Sequence, residues 1–82
     1  MSAQNPYAPI AQALRERLAV IADRDLYARD PEAHLEKLKE VSERIDRLQT
    51  LLPAPLDPQL AHYFQRRSLD KALAFIEENH GK

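Results

Sequence analysis

The segment RDPEAHLEKL, residues 29–38, constrains the fold of this chain more than any other stretch. Asp30 is a preferred N-cap residue, Pro31 suits the first helical position, and Glu32 places a negative charge at the positive end of the helix dipole. Apolar residues then recur at alternating spacings of three and four: Leu38, Val41, Ile45, Leu48 and Leu52, with Leu35 widening the stripe near its start. This period predicts an amphipathic helix over 31–52.

A second amphipathic pattern precedes this segment and predicts a helix over 9–28, with Pro9 in its first turn. Its main apolar stripe consists of Ile10, Leu14, Leu18 and Ile21. A second ridge, with residues seven apart, lies about a third of a turn away: Ala13, Val20 and Tyr27. We therefore expect this helix to contact two neighbours, one of them the next helix in an antiparallel hairpin.

The segment LLPAPLDPQ, residues 51–59, must interrupt the chain because it holds three prolines. A link over 53–57 is followed by a predicted helix 3 over 58–66, which again begins at an Asp-Pro pair, and a helix 4 over 69–80. The sequence thus predicts one all-α domain over 1–82, a small bundle of about four helices built from two helical hairpins.

The composition is that of a globular protein, with 44% hydrophobic and 30% charged residues and a net charge of −1. The lack of cysteine excludes disulfides, a thiol nucleophile and a Cys-ligated zinc site. The first ten residues have neither the basic nor the apolar region of a secretory signal, and no apolar run is long enough to predict a membrane span. We expect a cytoplasmic protein, and the excess of arginine over lysine hints at a GC-rich bacterial genome.

Motifs for catalysis or metal binding are sparse. The chain has no glycine-rich phosphate loop and no serine in a nucleophile elbow, so we predict that it is not an enzyme and has no cofactor and no small-molecule substrate. The histidines His34, His62 and His80 fall on three different predicted helices. Glu77 and His80 form a single Glu-x-x-His, whereas a di-iron bundle needs two, which only a homodimer would supply. No metal site is predicted.

The tripeptide Arg66-Arg67-Ser68 has two interpretations. Two guanidinium groups beside a helix N-terminus could bind an anion. Alternatively, Ser68 caps helix 4 while the arginines complement the dipole of helix 3, which explains all three residues without a ligand. We favour this second interpretation. We expect no binding of nucleic acid, because residues 53–82 carry as many acidic as basic groups.

Interaction with another protein is the function that we predict. In chains below about 70–80 residues a single core rarely supplies more than about 3–5 kcal/mol, and this chain of 82 residues barely exceeds that size. Association with a partner is a common source of the missing stability. The Ala13/Val20/Tyr27 ridge is one candidate interface, unless helix 3 or 4 of the same chain covers it. Tyr63 and Phe75 are further candidates, as interface anchors or as boundary core residues. We expect an adaptor, a chaperone-like protein or an accessory subunit, and a homodimer is one form of it; the alternative is a regulator that binds an anion or nucleic acid through Arg66 and Arg67.

Overall fold

Five α-helices follow one another along residues 5–80, the part of the chain that the computed structural model describes. They are α1 (Ala8–Ala22), α2 (Arg24–Arg29), α3 (Pro31–Thr50), α4 (Pro58–Gln65) and α5 (Leu69–His80). The all-α prediction is confirmed. Helix α1 packs against both α3 and α5, so the expectation that it contacts two neighbours is confirmed, while α2 packs on α3 and α4 on α5.

The predicted first helix, 9–28, is wrong as a single element because it breaks at Asp23. This residue leaves helical geometry (φ −79°, ψ 81°), and its carboxylate accepts a hydrogen bond from the backbone N–H of Leu26 at 3.0 Å. An Asp side chain competes in this way for backbone donors, which makes it a better cap than an interior residue. The chain therefore makes two helices, α1 and the six-residue α2, where the periodicity indicates one.

Both Asp-Pro pairs begin helices where the sequence places them. The Asp30 carboxylate accepts from the N–H of Ala33 at 3.1 Å, and Asp57 accepts from the N–H of Gln59 at 2.9 Å. In each helix the proline stands in the first turn, where it loses no intrahelical hydrogen bond. These caps fix the starts of α3 and α4.

The core is a single cluster to which α1, α3, α4 and α5 contribute. Its buried residues are Ile10, Ala11, Ala13, Leu14, Val41, Ile45, Leu60, Phe64, Leu69, Ala72, Leu73 and Ile76. Helix α2 contributes no buried residue. The core therefore lies toward the start of α1, and the end of α1 with α2 extends past it.

Helices α1 and α5 run antiparallel. Three contacts pair them in reverse order: Tyr7 stacks on His80 with ring centroids 3.9 Å apart, Arg15 meets Glu77 at 2.9 Å, and Arg17 approaches Asp70 at 3.7 Å. The side chain of Asn5 also donates to the backbone carbonyl of His80. Because α5 begins at Leu69, its first turn lies beside Arg17, and the last turn of α1 continues beyond it.

Candidate protein-binding surface

The main apolar stripe of α1 leaves the core halfway along the helix. Ile10 and Leu14 are each 1% exposed, whereas Leu18 is 37% and Ile21 45% exposed. The cause is the start of α5 beside Arg17, which leaves the last turn of α1 without a covering helix. In the described part of the chain, four of the five exposed large hydrophobic side chains fall between residues 18 and 35: Leu18, Ile21, Tyr27 and Leu35.

Ile21 connects two shallow grooves on this exposed part of α1. One, the α1/α5 groove, has a volume of about 340 Å³ and is lined by Leu18, Ile21 and the first turn of α5. The other, the tip groove, has a volume of about 280 Å³ and lies among Ile21, Tyr27 and His34. We call Leu18, Ile21 and Tyr27 the apolar strip, because Ile21 belongs to both grooves and joins the other two residues into one surface.

Cations predominate at the rim of the apolar strip. Arg17, Arg67 and Lys71 line the α1/α5 groove together with the carboxylate of Asp70, and Arg24 lines the tip groove. Two of these cations form ion pairs: Arg17 with Asp70, and Arg67 with Asp46 of α3 at 3.0 Å. Arg24 and Lys71 form no ion pair with any residue between 5 and 80. The rim thus carries a local positive charge on a chain whose net charge is −1.

A third groove, of about 360 Å³, lies between α1 and α3 and differs in charge. Its apolar side chains are those of Ala19, Val20, Leu26 and Val41. Its charged lining consists of three carboxylates and two cations: Glu16, Asp23, Glu40, Lys37 and Arg44. Arg44 and Glu16 form an ion pair across it. The positive rim is therefore a property of the apolar strip and not of every groove on the molecule.

The predicted Ala13/Val20/Tyr27 ridge does not form one surface. Ala13 is fully buried in the core of its own chain, so we correct the candidate interface at this position. Val20 is half-buried in the α1/α3 groove, and its carbonyl accepts from Nε2 of His34 at 2.8 Å. Tyr27 is 62% exposed and meets the His34 ring edge-on at 5.3 Å. Residues seven apart lie on one face only of a continuous helix, and the break at Asp23 places Tyr27 on a different helix from Ala13 and Val20.

Tyr63 and Phe75 are brought together by the packing of α4 on α5. Both are half-buried against the core, and their rings meet edge-to-face with centroids 6.3 Å apart. The Tyr63 hydroxyl also accepts from the side-chain amide of Gln59 at 2.7 Å. Neither aromatic lines the two grooves at Ile21, so the structure does not join this pair to the apolar strip.

Arg66, Arg67 and Ser68 form the junction between α4 and α5. The N–H of Ser68 donates to the carbonyl of Tyr63 at 2.8 Å, and the N–H of Arg67 donates to that of Phe64 at 3.0 Å. This pair of bonds is the Schellman motif, with Arg67 in the left-handed region at φ 57°. The carbonyl of Ser68 accepts from the N–H of Ala72, as expected of a residue at the start of α5. Together with the Arg67–Asp46 pair, these contacts account for Arg67 and Ser68 without a ligand.

The histidines do not assemble into a cluster. His80 stacks on Tyr7, Glu77 pairs with Arg15, and His34 is bonded to a backbone carbonyl. Between residues 5 and 80, no group of three or more His, Asp and Glu side chains lies close enough to hold a metal ion.

The exposure of Leu18 and Ile21 is the feature that sequence reasoning missed. Periodicity places both residues on the core stripe, because it reports a helical face and not what covers it. One signal was available in helix length. The predicted helix 1 spans 20 residues, about 30 Å, while helix 4 spans 12 residues, about 18 Å, and so cannot cover all of it.

No family model matches the chain, and no curated protein and no solved structure matches it significantly. None of the helices described here is both long and apolar enough to span a membrane.

Proposed function

We propose that this chain is a small non-catalytic helical module for protein–protein interaction, and that it docks its partner on the apolar strip. The observation that carries the proposal is the exposure of Leu18 and Ile21 on the same helical stripe as buried Ile10 and Leu14. Full burial of an aliphatic side chain contributes about 1.5–3 kcal/mol, and a partner that covered the strip would gain the part of this energy that belongs to the area of Leu18 and Ile21 still exposed.

The composition of the strip agrees with this role. Protein interfaces combine an apolar centre with a polar rim, and aromatic and arginine side chains are frequent among their strongest contacts. Here Leu18, Ile21 and Tyr27 supply the apolar centre, and the cations supply the rim.

A catalytic role has less support. Among residues 5–80 no charged or polar side chain is buried, whereas small-molecule sites place a few polar groups within concave, largely enclosed pockets. An adaptor or an accessory subunit is the kind of protein that we expect, and a bacterial, cytoplasmic setting stays a prediction from composition.

Site-specific photo-crosslinking in cells of the native host tests this proposal. A photoreactive phenylalanine replaces Ile21 in one variant and Leu51 in the control, since Leu51 is 74% exposed and lines neither groove. We expect a protein adduct from position 21 that is absent from position 51. The purified adduct partner should then bind the wild-type chain and lose about tenfold or more of its affinity on Leu18→Gln/Ile21→Gln, because interface anchors each contribute about 1 kcal/mol or more.

The proposal is wrong if positions 21 and 51 give the same adducts, or if the purified partner binds the double variant as tightly as the wild type. A second copy of the chain as the adduct would make the module a homodimer through this face.

A further inference from the structure

The shape of the apolar strip suits a helix. Residues 5–80 contain no β-strand whose edge a peptide could extend, so among the recurring modes of peptide recognition the helix-in-groove mode fits this surface. Leu18 and Ile21 stand one turn apart on α1, and the α1/α5 groove runs beside them. Side chains that follow one another along a helix in this way form a ridge, and such ridges pack into the grooves between the side chains of a second helix.

The rim charges specify what that helix should carry. Four cations and one carboxylate line the two grooves: Arg17, Arg24, Arg67, Lys71 and Asp70. Arg24 and Lys71 have no carboxylate partner among residues 5–80, so an incoming acidic side chain can pair with them without breaking an existing contact. Complementary charges of this kind steer association and select the partner.

From shape and charge together we infer that the occupant of the apolar strip is an amphipathic helix of a partner protein whose apolar face is flanked by Asp and Glu. This inference rests on the proposed function and adds the chemistry of the partner. The apolar face of the helix covers Leu18, Ile21 and Tyr27, and its carboxylates lie near Arg24 and Lys71.

A second copy of the chain fits the strip less well. A symmetric contact brings the same patch of both copies together, so a rim of four cations and one carboxylate would face a second rim with the same excess of positive charge. Like charges opposed across an interface are unfavourable. An anionic membrane also attracts cations, but the apolar residues here line grooves between helices, whereas membrane-bound helices present a projecting apolar face.

The test is a display library of helical peptides of about 20 residues, long enough to form a helix in water. Leucines are fixed at an i, i+3, i+4, i+7 spacing, and each flanking position is randomised between Glu and Lys, so only charge varies. The library is selected against the full chain. We expect Glu to predominate at flanking positions in the selected peptides, and their affinity to fall with rising salt.

Two pairs of variants separate the apolar and the charge contributions, with a selected peptide as the probe. Leu18→Gln/Ile21→Gln should abolish binding, while Leu51→Gln should leave it unchanged. Arg24→Glu/Lys71→Glu should weaken binding about tenfold, while Arg29→Glu/Lys39→Glu, which changes the net charge equally at exposed sites outside both grooves, should leave it within about twofold. Circular dichroism verifies the fold of each variant.

The outcomes separate this inference from the proposed function. Selected peptides that need Ile21 but show as much Lys as Glu would overturn the acidic partner and leave the interaction module intact. If no selected peptide depends on Leu18 and Ile21, the strip binds no helix, and the inference fails while the crosslinking result decides the function. If light scattering shows a dimer that dissociates on Leu18→Gln/Ile21→Gln, the occupant of the strip is a second copy of the chain. If no acidic peptide is selected and the chain binds vesicles of phosphatidylcholine and phosphatidylserine in a way that depends on Ile21, the occupant is a membrane. Either result overturns the inference.

Discussion

Arg67 combines an unfavourable backbone conformation with a favourable ion pair. Its φ of 57° is a region that side chains with a Cβ enter at a cost of about 1–2 kcal/mol, and helices most often place glycine at this position. Its guanidinium pairs with Asp46 on the surface of α3, and exposed pairs contribute only about 0.2–1 kcal/mol. On these magnitudes, Arg67 costs the chain more stability through its backbone than its ion pair contributes.

Substitution at neighbouring positions tests this account of the junction. Arg67→Gly and Arg67→Ala both remove the ion pair, but only glycine relieves the backbone, so we expect the glycine variant to be more stable by about 1 kcal/mol. At Arg66, where φ is −86°, the order should reverse, with glycine less stable than alanine by about 0.5–1 kcal/mol. Urea unfolding measures all four. The same order at both positions would contradict the assignment of Arg67 to the left-handed region.

At the scale of elements, α2 differs from its neighbours because it packs on α3 without contributing a residue to the core. It has six residues and none is buried. The Asp23 carboxylate caps its start, and the N–H of Asp30 donates to the carbonyl of Leu26 at its end. Elements with few buried contacts open locally at a lower free energy than the global unfolding of the chain.

Removal of the two Asp caps should therefore have different effects. Asp30→Ala removes the cap of α3, which carries buried Val41 and Ile45, and should lower the global free energy of unfolding by about 1 kcal/mol. Asp23→Ala should change global stability by less than about half of that, while backbone amides of α2 exchange with solvent up to about tenfold faster. Hydrogen exchange combined with urea unfolding separates the two effects. Equal losses of global stability would show that α2 unfolds only with the core.

The whole molecule is thin for its length. Its radius of gyration is 13.8 Å, against about 11–12 Å for a compact chain of this size, and its smallest extent is 20 Å, close to the thickness of two layers of helices. A molecule of two layers can cover a helix only where another element lies on it. The end of α1 extends past that cover, which explains why an apolar stripe is buried at one end and exposed at the other.

The same substitution at the two ends of that stripe measures this difference. Ile10→Val removes one methylene from a side chain that is 1% exposed and should destabilise the chain by about 0.5–1.5 kcal/mol. Ile21→Val removes the same group from a side chain that is 45% exposed, and should cost less than about 0.5 kcal/mol. The measurement is the midpoint of urea unfolding at constant slope. A loss at Ile21 as large as that at Ile10 would place Ile21 in the core, and the proposed docking surface would then have no basis.

A structural feature of this chain is predictable from its sequence when it depends on residues that are close together along the chain. Local signals were sufficient for the starts of α3 and α4, because Asp30 and Asp57 cap helices through bonds to residues two or three positions away. The cap at Asp23 is equally local, but its signal was overridden by apolar spacings that fit a continuous helix. Exposure of the apolar strip could not be read from spacing, because it depends on where α5 begins alongside α1, at the Arg17–Asp70 contact. The positive rim depends on the same alignment, since it gathers residues from α1, α2, the junction between α4 and α5, and α5.

The stacking of Tyr7 on His80 and the bond from Asn5 to the His80 carbonyl bring residues 5 and 80 into contact. The two ends of the described part of the chain therefore lie side by side. Because the chain enters and leaves the helical unit at one place, a host polypeptide could carry residues 5–80 within a surface loop without moving the two sides of that loop apart.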